Sequence, residues 1–366
     1  NGASDYGNKF GEPIILGFTR SFYTKINNEH YEWIKPIMYT SGIGHIRDKD
    51  IYKNQPTTSM KICKIGGPVY NIGIGGSSIS SGINQDTNAD INFKAVQRGD
   101  PEMEQKLDKV IRICIEQTIN PIETIHDQGA GGLGNVVKEI VYPNGAIINL
   151  NNVSLGDKSL SPLEIWCSEF QESDVILIDK RNVNIVEEIC DIENVRCDVL
   201  GSVACESFGK IVVNFNEKEV INMPLEPILN PSIRKEYSLN SSQHVKYDKK
   251  NSGEQTNKCI LENDIFIDEY ELKNEINEIL KHLDVCSKRF LTTKVDRSVT
   301  GLVAQQQCVG PHGVPVSNYS VNAFSHFDIK GTVSAIGERP FFGLYSEKLQ
   351  AEYSLLEILY FFNSLE

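Results

Sequence analysis

Residues 122–141 read IETIHDQGAGGLGNVVKEIV. Apolar spacing predicts a strand over Ile122–His126 and a helix over Asn135–Val141, with a glycine turn over Gly129–Gly134 between them. Asp127 therefore falls at the carboxyl end of a predicted strand, where its carboxylate can hold Mg²⁺ and the amides that open the helix can face a phosphate. A simple turn with a helix cap explains the same residues, because aspartate and glycine are the usual turn residues.

Strands and helices are mixed on both sides of this stretch. Lys61–Ile65 alternates like a strand, and a helix is predicted from Asp100 as N-cap and Pro101 as first residue. Further strands are predicted at 175–178, 211–213 and 290–304, and further helices at 265–283 and 355–362. Because the elements do not alternate strictly, we predict an α+β fold of mixed sheets packed with helices.

Composition narrows the classes of function. The 366 residues leave room for two or three domains and carry a formal net charge of −13, which disfavours nucleic acid and anionic membranes as partners. No apolar run approaches the roughly 20 residues of a membrane span. The nine cysteines form no Cys-x-x-Cys pair, which predicts reduced thiols in a cytoplasmic protein. The first residues show neither an initiator methionine nor a signal pattern, which predicts an internal start.

Two other stretches carry polar groups suited to a ligand. Gln97 precedes the helix at Pro101 and offers a donor and an acceptor. Glu169 and Gln171 lie on one face of an extended segment, with Phe170 on the other. For Gln97, an exposed loop residue is the simpler explanation without further context, and Glu169 and Gln171 could equally form an ordinary solvated face. The glycine-rich run at 72–78 lacks the Gly-Lys-Ser/Thr of a P-loop, so close approach of two backbones is its simpler explanation.

The order of these stretches is more specific than any one of them. From about Phe10 to Arg339, the chain resembles the large, single-chain formylglycinamide ribonucleotide amidotransferase family. The similar runs are GGP at 66–68 with GG at 75–76, DINFKAVQRGDPEME at 90–104, HDQGAGGL at 126–133, SPLEIWCSE at 161–169, TGLVA at 300–304, VGP at 309–311 and IGER at 336–339.

The resemblance implies an ATP- and Mg²⁺-dependent ligase that joins formylglycinamide ribonucleotide to glutamine-derived ammonia. It implies a synthetase core of two tandem halves, each similar to aminoimidazole ribonucleotide synthetase. The implied parts are the end of a first N-terminal subdomain (1–60), a first C-terminal subdomain (61–235), a polar linker (236–262), and a helix with the start of the second half (263–366). The remaining synthetase segments and the glutaminase domain would lie elsewhere in the same protein, so we expect no catalytic residue here and an inactive fragment.

The resemblance also implies roles for single residues. Gln97, Glu169 and Gln171 correspond to substrate-binding positions, and Asp127 to a Mg²⁺ ligand. Two further segments correspond to a nucleotide site shared between the halves. They are Leu16-Gly17-Phe18 and the pair Ser317 and Asn318, with Glu357 and Asn363 as metal ligands.

Several positions depart from the family pattern. Asn318 stands where the family has aspartate, and Glu357 and Asn363 are six residues apart instead of four. Phe170 and Ser173 replace the serine and arginine of a Glu-Ser-Gln-Glu-Arg run. These departures favour an alternative, a degenerate homologue that acts as a nucleotide-binding or assembly module. A selenophosphate synthetase or thiamine-phosphate kinase ranks last, because those proteins lack the run at 161–169.

Overall fold

A computed structural model describes residues 2–26, 28–33, 37–39, 43–44, 46–75, 79, 93–95, 99–170, 172–205, 208–230, 236, 269–282, 285–287, 289, 297–315 and 317–363. The chain divides into two compact units. One contains residues 1–44 together with 237–366, and the other contains residues 45–236. Their assignment to synthetase subdomains stays a prediction, and most of the predicted linker lies outside the described residues.

Within residues 1–44, the described positions form one helix and two short antiparallel ribbons of the first unit. The elements are α1 (Gly2–Phe10), β1 (Phe18–Arg20), β2 (Tyr23–Ile26), β3 (Glu29–Glu32) and β4 (Ile37–Tyr39). Strand β1 pairs with β4, and β2 pairs with β3. The predicted Leu16-Gly17-Phe18 segment thus runs directly into an edge of the first ribbon.

The second unit is built on a seven-stranded mixed sheet. Its strands are β5 (Lys61–Gly66), β6 (Ile122–Asp127), β7 (Ala146–Asn149), β8 (Ser173–Ile178), β9 (Arg196–Val203), β10 (Lys210–Phe215) and β11 (Lys218–Pro224). They lie in the order β11-β10-β7-β9-β5-β8-β6. Strands β7 and β10 are parallel, and the other pairs are antiparallel. The mixed sheet confirms the predicted fold class.

Helices cover both faces of this sheet. They are α2 (Pro101–Glu116), α3 (Gly132–Val141), α4 (Pro162–Cys167), α5 (Val183–Ile192) and the short α6 (Glu226–Leu229). Apolar residues of α3 and α4 pack on one face, where Ile62 and Leu177 are fully buried. Those of α2 and α5 pack on the other face, around Ile65 and Ile176. The two faces follow from strict alternation along the central strands.

The predicted start of α2 is confirmed at atomic level. The side chain of Asp100 accepts a hydrogen bond from the amide of Met103 at 3.1 Å, and Pro101 is the first helical residue. Helix α4 begins with a capping box, in which Ser161 and Glu164 each accept from the other's backbone amide. These local bonds satisfy amides that have no partner inside a helix.

Residues 269–363 complete the first unit. The elements are α7 (Glu269–Lys281), β12 (Val303–Gln305), β13 (Cys308–Val309), β14 (Val314–Pro315), β15 (Tyr319–Ala323), β16 (Gly331–Ala335), α8 (Pro340–Gly343) and α9 (Glu347–Asn363). The prediction of one strand over 290–304 is wrong in its described part. Residues Val299–Gly301 form a turn in which Thr300 and Gly301 both have positive φ, a conformation that a strand excludes, and extended chain resumes only at Val303. None of the described helices is long and apolar enough to cross a bilayer.

Candidate functional site

Asp127 ends β6 and begins a glycine turn, as predicted. The turn is shorter than predicted, because α3 begins at Gly132 and not at Asn135. Gly131 and Gly132 adopt φ values of +85° and +56°, which favour glycine. The Asp127 side chain is 89% exposed. Its carboxylate is therefore available to a ligand from solvent.

His126 has a structural role beside this carboxylate. One ring nitrogen lies 2.8 Å from Glu139 Oε2, and the other lies 2.8 Å from the backbone oxygen of Asp127. Both nitrogens are engaged, and these contacts tie the end of β6 to helix α3. The histidine fixes the place of Asp127.

Three stretches that are distant in sequence meet next to this turn. The amide of Gln128 donates to the carbonyl of Ser173 at 3.0 Å, and the amide of Gly67 donates to the carbonyl of Glu172 at 3.2 Å. A Cβ on Gly132 would lie 2.1 Å from the carbonyl oxygen of Ser168. The loop after β5, the turn after β6 and the segment before β8 are therefore in direct backbone contact.

Glu169 is only 7% exposed and Phe170 is 3% exposed, so both are buried and Glu169 does not lie on a solvated face. The amide of Glu169 donates to Ile72 at 3.2 Å, and Gly73 packs against its Cβ. Burial raises the pKa of the Glu169 carboxyl. Gln171 and Gln97, its predicted companions, lie outside the described residues.

Two cavities open beside the three-stretch junction. One, of about 310 Å³, has Gly67, Asp100, Phe170 and Glu172 in its wall. The other, of about 250 Å³, is lined mainly by polar side chains, namely Glu104, Asp127, Gln128, Glu172, Ser173 and Asp174. The side-chain amide nitrogen and oxygen of Gln128 and the hydroxyl of Ser173 are buried there without a hydrogen-bond partner among the described atoms. Such atoms need water, an ion or a ligand to satisfy them.

Acidic side chains repel one another in the second cavity, the one of about 250 Å³. Burial first, and then the negative charges of Glu104 and Asp127, raise the pKa of Asp174 to about 7. Burial and Glu172 likewise raise the pKa of Glu104. Hard oxygen donors of this kind suit Mg²⁺ that keeps water and phosphate among its ligands. Within the described residues, however, no three acidic, histidine or cysteine side chains are arranged to enclose a metal by themselves.

In the first unit, the two predicted nucleotide-binding segments both lie next to Gln307. The amide of Gln307 donates to the carbonyl of Ile15, next to Leu16 and Gly17, and the amide of Ser317 donates to the carbonyl of Gln307; both bonds measure 3.2 Å. Arg297, which is 5% exposed, donates to the side chain of Gln307 at 3.1 Å. Sequence analysis missed Gln307 and Arg297, because nothing local marks them. Asn318, next to Ser317, is exposed.

Glu357 and Asn363 do not form a metal site with each other. One Glu357 oxygen accepts from the amide of Glu338 at 3.1 Å, and the other lies 3.2 Å from Arg339. Asn363 is exposed at the end of α9, and six residues correspond to roughly 240° around a helix. Protein donors already occupy both oxygens, so these residues do not fit Mg²⁺.

Matches to known proteins follow the two units. Residues 60–214 match the model "AIR synthase related protein, C-terminal domain", and residues 287–363 match the "FGAR-AT PurM_N-like domain". Over 98% of its length, the chain is 43% identical to phosphoribosylformylglycinamidine synthase of Dictyostelium discoideum. The chain belongs to the phosphoribosylformylglycinamidine synthase family. It spans 26% of the Dictyostelium protein, and 25% of a probable chloroplastic/mitochondrial synthase of Arabidopsis thaliana, to which it is 41% identical over 98% of its length.

Solved structures agree in fold. PurL of Thermotoga maritima complexed with ADP matches 98% of this chain and 49% of its own, with a TM-score of 0.55 and 18% identity. The same protein complexed with FGAR matches 65% of this chain and 38% of its own, with a TM-score of 0.53 and 22% identity. At these identities the likeness concerns the fold alone.

Proposed function

We propose that the protein containing this chain converts formylglycinamide ribonucleotide, ATP and glutamine-derived ammonia into formylglycinamidine ribonucleotide, ADP and phosphate. The observation that carries the proposal is the backbone junction of Gly67, Gln128 and the 172–173 carbonyls. It joins the three stretches whose order marks the family and opens onto two cavities. Chemistry of this kind needs binding groups for the substrate and oxygen donors for the cation that accompanies ATP.

Within this site, Asp127 is proposed to hold Mg²⁺. When bound, the cation would neutralise phosphate charge. His126 orients the end of β6, and the buried side-chain amide of Gln128, which has no hydrogen-bond partner among the described residues, supplies a donor and an acceptor to the cavity. Glu169, Gln171 and Gln97 are proposed to bind formylglycinamide ribonucleotide through hydrogen bonds. No residue of this chain is proposed to form a covalent intermediate.

The second proposed binding region belongs to the other unit. Leu16-Gly17-Phe18 and Ser317 would line a nucleotide site there, since Ile15, next to Leu16, and Ser317 both hydrogen-bond to the backbone of Gln307. Asn318 supplies a neutral amide, and Glu357 is held by Arg339, so a nucleotide bound there would rely on few protein ligands for its cation.

The partners and the cellular compartment are proposed from the net charge and the cysteines. The net charge of −13 disfavours nucleic acid and anionic membrane, and we propose that neither is a partner. The glutaminase domain and the remaining synthetase segments of the same protein are the proposed partners. A cytoplasmic location is proposed from the unpaired thiols of the described cysteines.

Assay of the full-length protein tests the proposal. It should form formylglycinamidine ribonucleotide with either glutamine or ammonium as nitrogen donor, and Glu169→Gln and Asp127→Asn should each reduce kcat/KM at least about ten-fold, or about 1.4 kcal/mol. Glu188→Gln, an exposed carboxylate on α5, is the matched control. If both site variants keep the wild-type kcat/KM, these assignments are refuted.

The alternative is a non-catalytic module that binds nucleotide or assists assembly. The engaged Glu357 and the neutral Asn318 favour it for the first unit. Full-length protein that binds ATP but forms no product, although its other segments are intact, would support this alternative.

A further inference from the structure

Lys64 is a charged side chain in the middle of the seven-stranded sheet. It lies on β5 between Asp198 of β9 and Val175 of β8, and it is 0% exposed. A lysine in a strand is expected on a solvated face, yet this side chain is fully buried. Burial lowers the pKa of Lys64, and Asp198 only partly opposes this effect. Such a group needs a specific explanation, because burying a charge is costly.

The ion pair with Asp198 does not supply that explanation. Lys64 Nζ lies 3.8 Å from Asp198 Oδ2. Asp198 also accepts from Ser154, whose amide and hydroxyl donate to it at 2.8 and 2.6 Å. Buried ion pairs are often no more stabilising than apolar residues of similar volume. Stability of the sheet is therefore a weak reason for a lysine.

The stronger contacts of Lys64 point toward the candidate site. Its Nζ donates to the carbonyl of Gly67 at 2.5 Å and lies 5.6 Å from the centroid of the Phe170 ring. Gly67 and Phe170 belong to the two segments that line the 310 Å³ cavity. The ammonium group thus contacts both segments from beneath, by a charge-assisted hydrogen bond to one and a cation–π contact to the other.

The two segments are also joined above Lys64. The amide of Gly67 donates to Glu172, and the amide of Glu169 donates to Ile72. A Cβ on Gly66 would lie 2.2 Å from the carbonyl of Glu172, so the backbones touch. Any movement of the Gly67 carbonyl is therefore passed to Glu169 and Glu172.

We propose that Lys64 is a positioning residue, which holds the 66–73 loop against Phe170 and Glu172 in the register that presents Glu169 to substrate. The inference rests on the proposed substrate role of Glu169. Lys64 itself lies beneath the segments and has no exposed atom with which to touch substrate.

The test replaces Lys64 by methionine in the full-length protein. Methionine keeps the apolar stem and removes the ammonium, and Asp198 keeps its two bonds from Ser154. The KM for formylglycinamide ribonucleotide should rise by about 10-fold to 100-fold, with the KM for ATP unchanged, since displaced binding groups cost affinity on that scale. Lys61→Met is the control: Lys61 lies on the same strand and donates to Ser202 at 2.9 Å, away from both segments.

Hydrogen exchange gives a second measurement that does not depend on activity. In Lys64→Met, the amides of Gly67 and Glu169 should exchange at least about ten-fold faster than in the wild type, while those of Ile211 and Val213 on β10 keep their protection. Lys64→Gln, whose shorter amide cannot reach Gly67, replaces the methionine variant if that one does not fold, with the same expected result.

The outcomes separate the two proposals. Unchanged exchange at Gly67 and Glu169 overturns the role of Lys64, whatever the activity. Faster exchange with an unchanged KM for formylglycinamide ribonucleotide shows that Lys64 holds the segments but overturns its link to substrate. If Glu169→Gln also leaves this KM unchanged, the failure lies in the proposed function. Equal loss of activity in Lys61→Met and Lys64→Met, with no change in KM, also overturns the proposal, because a purely structural role predicts that pattern.

Discussion

Gly132 and Ser168 approach so closely that a Cβ on the glycine would lie 2.1 Å from the serine carbonyl oxygen. This contact presses the first turn of α3 against the end of α4. It therefore connects the Asp127 turn to the segment that carries Glu169. Glycine is required at this position for two separate reasons, its φ of +56° and the lack of space.

We expect Gly132→Ala to destabilise the second unit by about 2–5 kcal/mol, the sum of a left-handed backbone penalty and overpacking. Gly209→Ala is a matched control, because Gly209 has nearly the same φ of +55° but, among the described residues, no atom within 4 Å of the Cβ that alanine would add. The control should lose only about 1–2 kcal/mol. Urea unfolding midpoints measure both, and equal losses would show that the Ser168 contact is unimportant.

Signals from neighbouring residues in the sequence account for the predictions that the structure confirms. The glycines after Asp127 and the Asp100-Pro101 start of α2 act within a few residues, so pattern reading finds them. The strand predicted over 290–304 failed for a local reason as well, since the positive φ of Thr300 is not visible in a residue type that favours strands.

The remainder of the site depends on contacts between distant residues. Glu169 is buried because Gly73, nearly a hundred residues earlier, packs on its Cβ. Lys64 meets Phe170 only because β5 lies inside the sheet, between β9 and β8. Strand order and the neighbours of a side chain are tertiary facts, and neither periodicity nor motif spacing contains them.

Mg²⁺-dependent nucleotide binding should depend on Asp127. In this chain, we expect Asp127→Asn to weaken ATP affinity in the presence of Mg²⁺ at least about ten-fold, because an amide is a poorer ligand than a carboxylate. Stability should change by less than about 0.5 kcal/mol, since the side chain is 89% exposed. Calorimetric titration with and without Mg²⁺ measures the effect, with Glu188→Gln as control. Equal affinities of wild type and Asp127→Asn would exclude Asp127 as a ligand.

Asp174 should give the second unit a distinctive pH dependence. Its pKa is raised from 3.8 to about 7 in the folded state, chiefly by burial and then by Glu104 and Asp127. The folded state therefore binds this proton more tightly than the unfolded state. The stabilising contribution is complete below about pH 4 and is lost as pH rises toward 7.

Asp174→Asn removes that titration. We expect the stability difference, variant minus wild type, to increase from pH 4 to pH 7 and to level off above about pH 8. Urea unfolding at several pH values measures it, and Glu188→Gln serves as a control whose difference should stay constant. A flat difference for Asp174→Asn would show that the carboxyl titrates normally.

Glu357 should behave as a structural residue and not as a metal ligand. Its two oxygens are held by the Glu338 amide and by Arg339, and Arg20 in turn lies 3.1 Å from Glu338. We expect Glu357→Gln to leave Mg²⁺ affinity unchanged and to lower stability by up to about 1 kcal/mol, because the neutral amide still accepts from Glu338 but loses the ion pair with the partly exposed Arg339. Glu352→Gln on the same helix, whose carboxylate is 53% exposed beside Lys348, is the control for loss of one negative charge. Titration of both variants with Mg²⁺, followed by calorimetry, makes the comparison. A Mg²⁺ affinity that falls only in Glu357→Gln would mean that a cation displaces Arg339 from this carboxylate and that the metal role implied by the family holds here after all.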